Sequence, residues 1–488
     1  MLKGTIQFFE DDFMRTLFPM ETNLLIIKSA AADVANHISD ILEGRQAFLA
    51  QTRVHAAKPD FHFRRTFKLD VVAELFLYDL VYRNRQSFRT TETATRRAFG
   101  YHFREGTLTS SSLAFEAFRA AVRTASLTYE FGVSFDVSAY FNSIYAHDLF
   151  VWFNDGSRSE KDVEALHKFL RQINAGRSID CLPQGIAPAK IIGSHFLSFI
   201  EFSARIKSPL LLRFMDDVVL FAADQDAIIQ DFYQIQRLLG ERGLSVNPAK
   251  TKIGDIDQLD VRKQIDEIKK QLLRVRRLRS LFDYDEESEE DSGEEESLNQ
   301  RQKDYLIALL RDPQIDEEDA ELVLSLLRDK SEDVLEYVPS FLEKFPNLAK
   351  NIYMFCGHVQ NKAKLAEVVL HFLSSAKVIT EYQLFWLAWV AESYLSKCPT
   401  YGQLIMRLYE HPSASVVSKA KVLEIPDKRF GMNDLREEHL RIGKSDWLAW
   451  ASAIGLRCEG KANRNHLLNY FANAGPLNRL IADCAKAL

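Results

Sequence analysis

The sequence predicts an α+β chain in two parts, a mixed strand-and-helix part followed by an all-helical part, and three observations carry that expectation. An acidic pair, Asp216-Asp217, sits between the apolar runs Leu210 to Leu212 and Val218 to Phe221, the pattern of a buried hairpin. The segment Ala227 to Arg242 places Ile228, Ile229, Phe232, Ile235, Leu238 and Leu239 on one helical face, so helices pack beside those strands. After residue 298 strand signals vanish and helical periodicity takes over.

A chain of 488 residues is too long for one core and divides into domains. Residues 1–110 read as mainly helical, with Val34, Ile38, Ile41 and Leu42, then Val72, Leu75, Phe76 and Leu80, at helical spacing. Residues 111–255 alternate strands with amphipathic helices, which predicts an antiparallel sheet with helices on one side. Residues 256–298 join a basic segment to an acidic one. Arg262 to Arg279 holds eight Lys and Arg, whereas Asp283 to Glu296 holds ten acids and no base. We read them as a solvated helix running into a linker, the alternative being a strand-binding helix shielded by an acid tail. Residues 299–488 carry successive helical patterns, among them Leu322, Val323, Leu326 and Leu327, then Val334, Leu335, Val338, Phe341 and Leu342, broken at Pro313, Pro346, Pro399 and Gly443. Stacked helical pairs of an α-solenoid, HEAT-like kind are expected. Trp386 with Trp389, and Trp447 with Trp450, are expected to be core, with base stacking as the alternative.

Composition excludes several classes. Hydrophobic content of 47% and charge of 27% are those of a globular protein. Glu10-Asp11-Asp12 interrupts the first residues before any signal-peptide core, and no run reaches the length of a membrane span, so a cytoplasmic protein without a membrane partner is expected. Five cysteines without a CxxC pair fit a reducing compartment. The net charge of −6 misleads as an average, because it becomes +4 once the ten acids of the acidic tract are set aside.

The acidic pair is the most costly feature. Neighbouring Asp side chains repel one another, and flanking apolar strands strip their hydration. A divalent cation removes both penalties, since Mg²⁺ takes oxygen ligands and is held by one or two carboxylates with room left for phosphate. A further carboxylate is offered by Phe131-Gly132-Val133-Ser134-Phe135-Asp136, an apolar strand ending in an acid, followed by Val137-Ser138-Ala139-Tyr140-Phe141. Between the two acidic segments lies Leu182-Pro183-Gln184-Gly185, and after them comes Gly243-Leu244-Ser245-Val246-Asn247-Pro248-Ala249-Lys250-Thr251-Lys252.

In this order and spacing the four segments resemble motifs A, B, C and D of reverse transcriptases, with Asp136 in A, Gln184 and Gly185 in B, Asp216 and Asp217 in C and Lys250 in D. The resemblance implies a right-hand polymerase, with fingers in residues 1–110 and a palm in residues 111–255. It implies catalytic Asp136, Asp216, Asp217 and Lys250, and two Mg²⁺ ions, with Mn²⁺ as a substitute, held by Asp136, Val137 and Asp216. Asp217 is the less directly engaged acid, and Lys250 faces the leaving pyrophosphate as proton donor. Phe141, five residues after Asp136, is implied as the steric gate that favours deoxynucleotides, and Gln184 and Gly185 lie beside the incoming base. Phe61 to Lys68 and Thr95 to Tyr101 resemble degenerate finger motifs. Arg64 or Arg65 there is implied to neutralise the triphosphate, with Lys68 equally placed. The Arg97 to His102 spacing also occurs in helical ribonucleases, but Gly100 between them argues against a helix.

Departures from the usual pattern narrow the resemblance. After Lys252 the chain runs directly into the charged segment, without a primer-grip hairpin and thumb, and no ribonuclease H, integrase or endonuclease pattern is evident. Motif B reads Ile186-Ala187-Pro188-Ala189-Lys190, and motif C has Phe214 where Tyr is commoner. A palm, a missing thumb and a helical second half resemble the abortive-infection reverse transcriptases of bacteria, the prophage-borne type in particular. That family implies phage defence by template-independent, protein-primed synthesis from dNTPs, a single-stranded DNA product attached to protein, and a homo-oligomer. A conventional RNA-templated reverse transcriptase of a retroelement and a non-catalytic helical scaffold are the alternatives.

Overall fold

A computed structural model describes residues 2–90, 93–156, 159–255, 267–282 and 298–488. They form two compact units. The first holds residues 1–17, 34–52 and 69–264, and the second holds residues 18–33, 53–68 and 265–488.

The first unit is organised on a five-stranded sheet. Its strands are β3 (Arg96–Phe99), β6 (Phe131–Phe135), β7 (Leu210–Phe214), β8 (Asp217–Ala222) and β9 (Lys252–Asp255), in the order β3-β7-β8-β6-β9. The remaining strands are β1 (Thr52–Ala57) and β2 (Phe63–Lys68), paired in the second unit, and β4 (Phe103–Arg104) and β5 (Thr107–Leu108), paired antiparallel in the first. The expected hairpin is present, with Leu212 opposite Val219 and Phe214 opposite Asp217. The sheet departs from expectation in one pairing, because β3 runs parallel to β7, with Arg96 opposite Leu211 and Phe99 opposite Phe214. The spacing of Arg97 and His102 therefore falls on a strand and a following turn, with Gly100 at φ 76°, and not on a helix.

Helices cover both faces of the sheet, where one was expected. The helix Ser111–Ala125 places Phe118, Val122 and Ala125 against Phe99, Leu212, Val219 and Phe221. The helix Gln225–Gly240, begun by the Asp224 carboxylate accepting from the Ala227 amide at 3.0 Å, sets Phe232 5.6 Å from Phe135. By strand alternation Phe135, paired with Val218, faces opposite to Val219.

In the second unit every element after residue 266 is helical among the described residues. Alternate helices stack in a row: Glu317–Leu326, Ala349–Cys356, Glu381–Val390, Val416–Leu423, Trp447–Gly455 and Pro476–Ala487 each pack on the next. The helix Glu381–Val390 is buried on all sides from Tyr382 to Val390, which is why its sequence is apolar all round. Trp386, Trp389, Trp447 and Trp450 are all buried, so they are core and not stacking surfaces for bases. The basic segment was expected as a solvated helix. Its described part, Glu267–Phe282, instead buries Leu272, Leu273 and Val275 and is pinned by ion pairs from Lys269 to Asp319 at 2.7 Å and from Arg276 to Glu321 at 2.8 Å. The acidic tract lies outside the described residues.

Candidate active site

The hairpin leaves Met215 and Asp216 as its turn. Met215 sits at φ 56°, a left-handed conformation that a side chain adopts only when its surroundings enforce it. Phe214, one residue earlier, has its ring 5.0 Å from Phe115, 5.8 Å from Tyr101 and 6.1 Å from Phe118. That aromatic seat packs the Phe214 ring beside the acidic turn.

Asp136 is brought to the same end of the sheet because it follows β6, which pairs with β8 through Phe135 and Val218. The motif D segment then zips onto the chain just after β6. The Ser138 amide donates to the Ser245 carbonyl at 2.8 Å, Val137 bridges Val246, and the Asn247 amide donates to the Asp136 carbonyl at 2.9 Å. Asn247 caps the short turn Pro248–Lys250, which delivers the Lys250 ammonium to Asp136 Oδ2 at 2.8 Å.

The electrostatics of this end follow from like charges held together. The Asp217 carboxyl is pushed up to about 6 by desolvation, then by Asp216 and Asp136, with Lys250 opposing. Asp217 is exposed to solvent, so repulsion from Asp216 and Asp136 is the main cause. Lys250 is held above its ordinary value, first by its hydrogen bond to Asp136 and then, against some desolvation, by all three carboxylates. Its side chain is 66% exposed and so remains reachable by a ligand.

Asp136 Oδ1 is buried without a hydrogen-bond partner. An orphaned buried carboxylate oxygen is expensive unless something electropositive meets it. Among the described residues no three His, Cys, Asp or Glu side chains already converge to hold a metal, and Lys250 supplies the counter-charge. The donor set of hard carboxylate oxygens nonetheless fits a Mg²⁺-like ion.

Phe141 is buried on the short helix Tyr140–Ser143, against the helix Ala187–Phe196 that follows Gln184 and Gly185. The Tyr140 hydroxyl donates to the Gly193 carbonyl at 2.6 Å. A Cβ at Gly193 would stand 2.9 Å from Phe141 Cε1, so a glycine in mid-helix is what admits the ring. Gly185 has φ 119°, and a side chain there would also meet Leu17 at 2.7 Å. Gln184 is half-buried at the same turn.

Two predicted residues are not brought to this end within one unit. Arg64 and Arg65 stand on β2, which belongs to the second unit. Three unpredicted residues belong to the frame of the site. Asp12, buried, accepts from the Ala187 amide at 2.6 Å and the Tyr78 hydroxyl at 2.5 Å and so anchors the start of the motif B helix from 175 residues away. Arg213 and Glu201 form a buried pair behind the acidic turn. A charge inside the apolar run Leu210 to Phe214 was the one signal for Arg213, whereas Asp12 sits in an ordinary acidic cluster that gives none.

Comparison with known proteins agrees with this geometry. Residues 82–306 match the family of reverse transcriptases, RNA-dependent DNA polymerases, a span that contains all four motifs. No curated protein matches. Among solved structures the chain is similar to telomerase from Candida albicans in complex with a TWJ fragment of telomeric RNA, at 13% identity and TM-score 0.32, covering 79% of this chain and 70% of that one. It is likewise similar to telomerase from Candida tropicalis with the same kind of RNA fragment, at 14% identity and TM-score 0.32, covering 78% and 67%. Those two likenesses are too loose to carry an argument. The family match and the motif order together identify a reverse transcriptase domain, and the protein is an RNA-directed DNA polymerase-like nucleotidyltransferase.

Proposed function

We infer that this protein is a phage-defence polymerase of the abortive-infection kind, joining dNTPs without a template onto a hydroxyl of the protein itself. The observation that carries the chemistry is the gathering of Asp136, Asp216, Asp217 and Lys250 at one end of the sheet, with Asp136 Oδ1 unpartnered. Asp136 and Asp216, with Val137 beside them, would hold divalent ions, which would supply activation of the attacking hydroxyl and a grip on the triphosphate, and Asp217 would tune their field. The attacking hydroxyl gives up its proton to solvent as its oxygen bonds to the α-phosphorus, the bond from that phosphorus to the bridging oxygen breaks, and pyrophosphate leaves with a proton from the Lys250 ammonium, which solvent then reprotonates.

Absence of a template is supported by the sequence after motif D, which runs directly into the basic segment, and by the altered motif B. The row of alternately stacked helices supports a HEAT-like second half, the part through which we expect homo-oligomers to form. The templated reading is favoured by one observation, the family match to RNA-dependent polymerases.

Purified full-length protein given each dNTP, with and without added template, separates the two. Product made without template, biased in composition and released from protein only by protease, is the expected result. Synthesis strictly dependent on template, with free and complementary product, replaces our reading by the templated one.

Sugar selection gives a second test. Phe141→Ala opens space beside the Gly193 backbone, and ribonucleotide use relative to deoxynucleotide use rises on the order of 10–100-fold. An unchanged ratio in an active variant makes Phe141 a core aromatic only.

A further inference from the structure

We propose that Arg213 is a positioning residue of the acidic turn, clamped by Glu201, and that this pair sets the aim of Asp216. Arg213 lies in β7 with its side chain 2% exposed, on the face shared with Val218. A guanidinium there loses its hydration, and such pairs rarely exceed a well-packed apolar pair in stability. The role of the group lies in what it touches.

Arg213 makes two different contacts with its fork. Nε is paired with the buried Glu201 carboxylate, and Nη1 donates to the Met215 carbonyl at 2.7 Å. The Met215 carbonyl belongs to the same rigid peptide plane as the Asp216 amide. Holding that oxygen fixes the plane from which the Asp216 side chain departs. Met215 is also the residue in the left-handed conformation, the point at which the turn would otherwise relax.

The other end of the clamp is equally informative. Glu201 lies on the short helix Ser198–Glu201, directly after the motif B helix Ala187–Phe196, whose Gly193 carbonyl accepts from Tyr140. The Tyr140 hydroxyl on the Gly193 carbonyl, and Arg213 between Glu201 and the Met215 carbonyl, thus tie the motif A turn and the motif C turn to one stretch of chain, the motif B helix and the short helix that follows it. Arginine suits this because its planar fork can serve a carboxylate and a carbonyl at once, whereas lysine is a point charge.

The inference rests on the proposed polymerase function with Asp216 as a metal-holding carboxylate, and wild type beside Asp216→Ala in the same assay scores that premise separately. The test compares Arg213→Met, Arg213→Met with Glu201→Met, and Arg213→Lys in the full chain. Arg213→Met alone lowers Tm, because Glu201 is left buried and unpaired. The double variant regains Tm, yet its kcat stays down on the order of 10–100-fold with KM for dNTP little changed, and its Mg²⁺ requirement rises. Recovery of both Tm and kcat in the double variant overturns the proposal, since the pair is then packing only. Should the double variant not fold, Arg213→Lys decides: it keeps the ion pair and Tm but not the carbonyl contact. A folded Arg213→Lys protein with wild-type kcat and Mg²⁺ requirement overturns the proposal equally.

Discussion

Asp216→Ala abolishes nucleotide incorporation while the protein stays folded, and Asp136→Ala does the same. On the proposed function each would remove an oxygen donor to a metal ion, and loss of one such carboxylate from phosphoryl transfer is expected to cost roughly 10³-fold or more in rate. Stability moves the other way. Asp217 is pushed up to about 6 partly by Asp216 and Asp136, so removing either relieves repulsion at a crowded end of the sheet. Tm of Asp216→Ala is therefore expected at or above that of the wild type, as happens where a site is built for chemistry at a cost in stability. Wild-type-like incorporation by a folded Asp216→Ala protein removes the paired carboxylates from the mechanism.

Lys421→Met destabilises the second unit by about 3–5 kcal/mol, the largest stability effect we expect, because it strands buried carboxylates. Lys421 is fully buried, 2.8 Å from Glu424 and 2.5 Å from Glu392, and its ammonium lies 3.4 Å from the centre of the Trp389 ring. Arg457 reaches Glu21 at 2.7 Å and Glu392 at 3.9 Å. Glu424 in turn accepts from the Glu21 amide at 3.0 Å and from the amide and hydroxyl of Thr22, each at 2.8 Å, capping the helix Glu21–Leu42. Three carboxylates share two cations, and Glu392 lies on a π-helical segment, Ala391–Leu395, a geometry that persists only with local support.

That cluster also fixes a pH dependence. Glu21 is raised to about 7, first by desolvation, then by Glu392 and Glu424, with Lys421 and Arg457 opposing. The folded state thus holds a proton that the unfolded chain has already released, so stability falls as pH rises from about 4.5 to about 7. Removing Lys421 takes away the main opposing charge and steepens the fall. The loss in Lys421→Met, read from thermal and urea unfolding of the full chain, is expected to be larger at pH 8 than at pH 5.5, and Glu21→Gln flattens the slope. Equal loss at both pH values removes Glu21 from the account.

What the sequence determined by itself is what local chemistry decides. The strands around Asp136 and Asp216, the helix Gln225–Gly240 and the helical second half were legible because apolar spacing reports the period of each element wherever it finally packs. The acidic pair was legible because adjacent carboxylates between apolar runs cost free energy in any fold. Lys250 was placed by motif order, but the geometry that makes it useful comes from residues 245–247 pairing with 136–138.

Tertiary structure alone decided the partners. β3 lies parallel to β7 although more than a hundred residues separate them, and no local pattern specifies a parallel partner across such a crossover. Residues 52–68 read as part of a helical region yet form β1 and β2, and this places Arg64 and Arg65 in the other unit. Asp12 on Ala187, Arg213 on Glu201 and Lys421 among three glutamates are equally invisible in sequence. A buried charge announces that it needs a partner, but only packing, which brings distant segments into a low-dielectric interior, selects which one it finds.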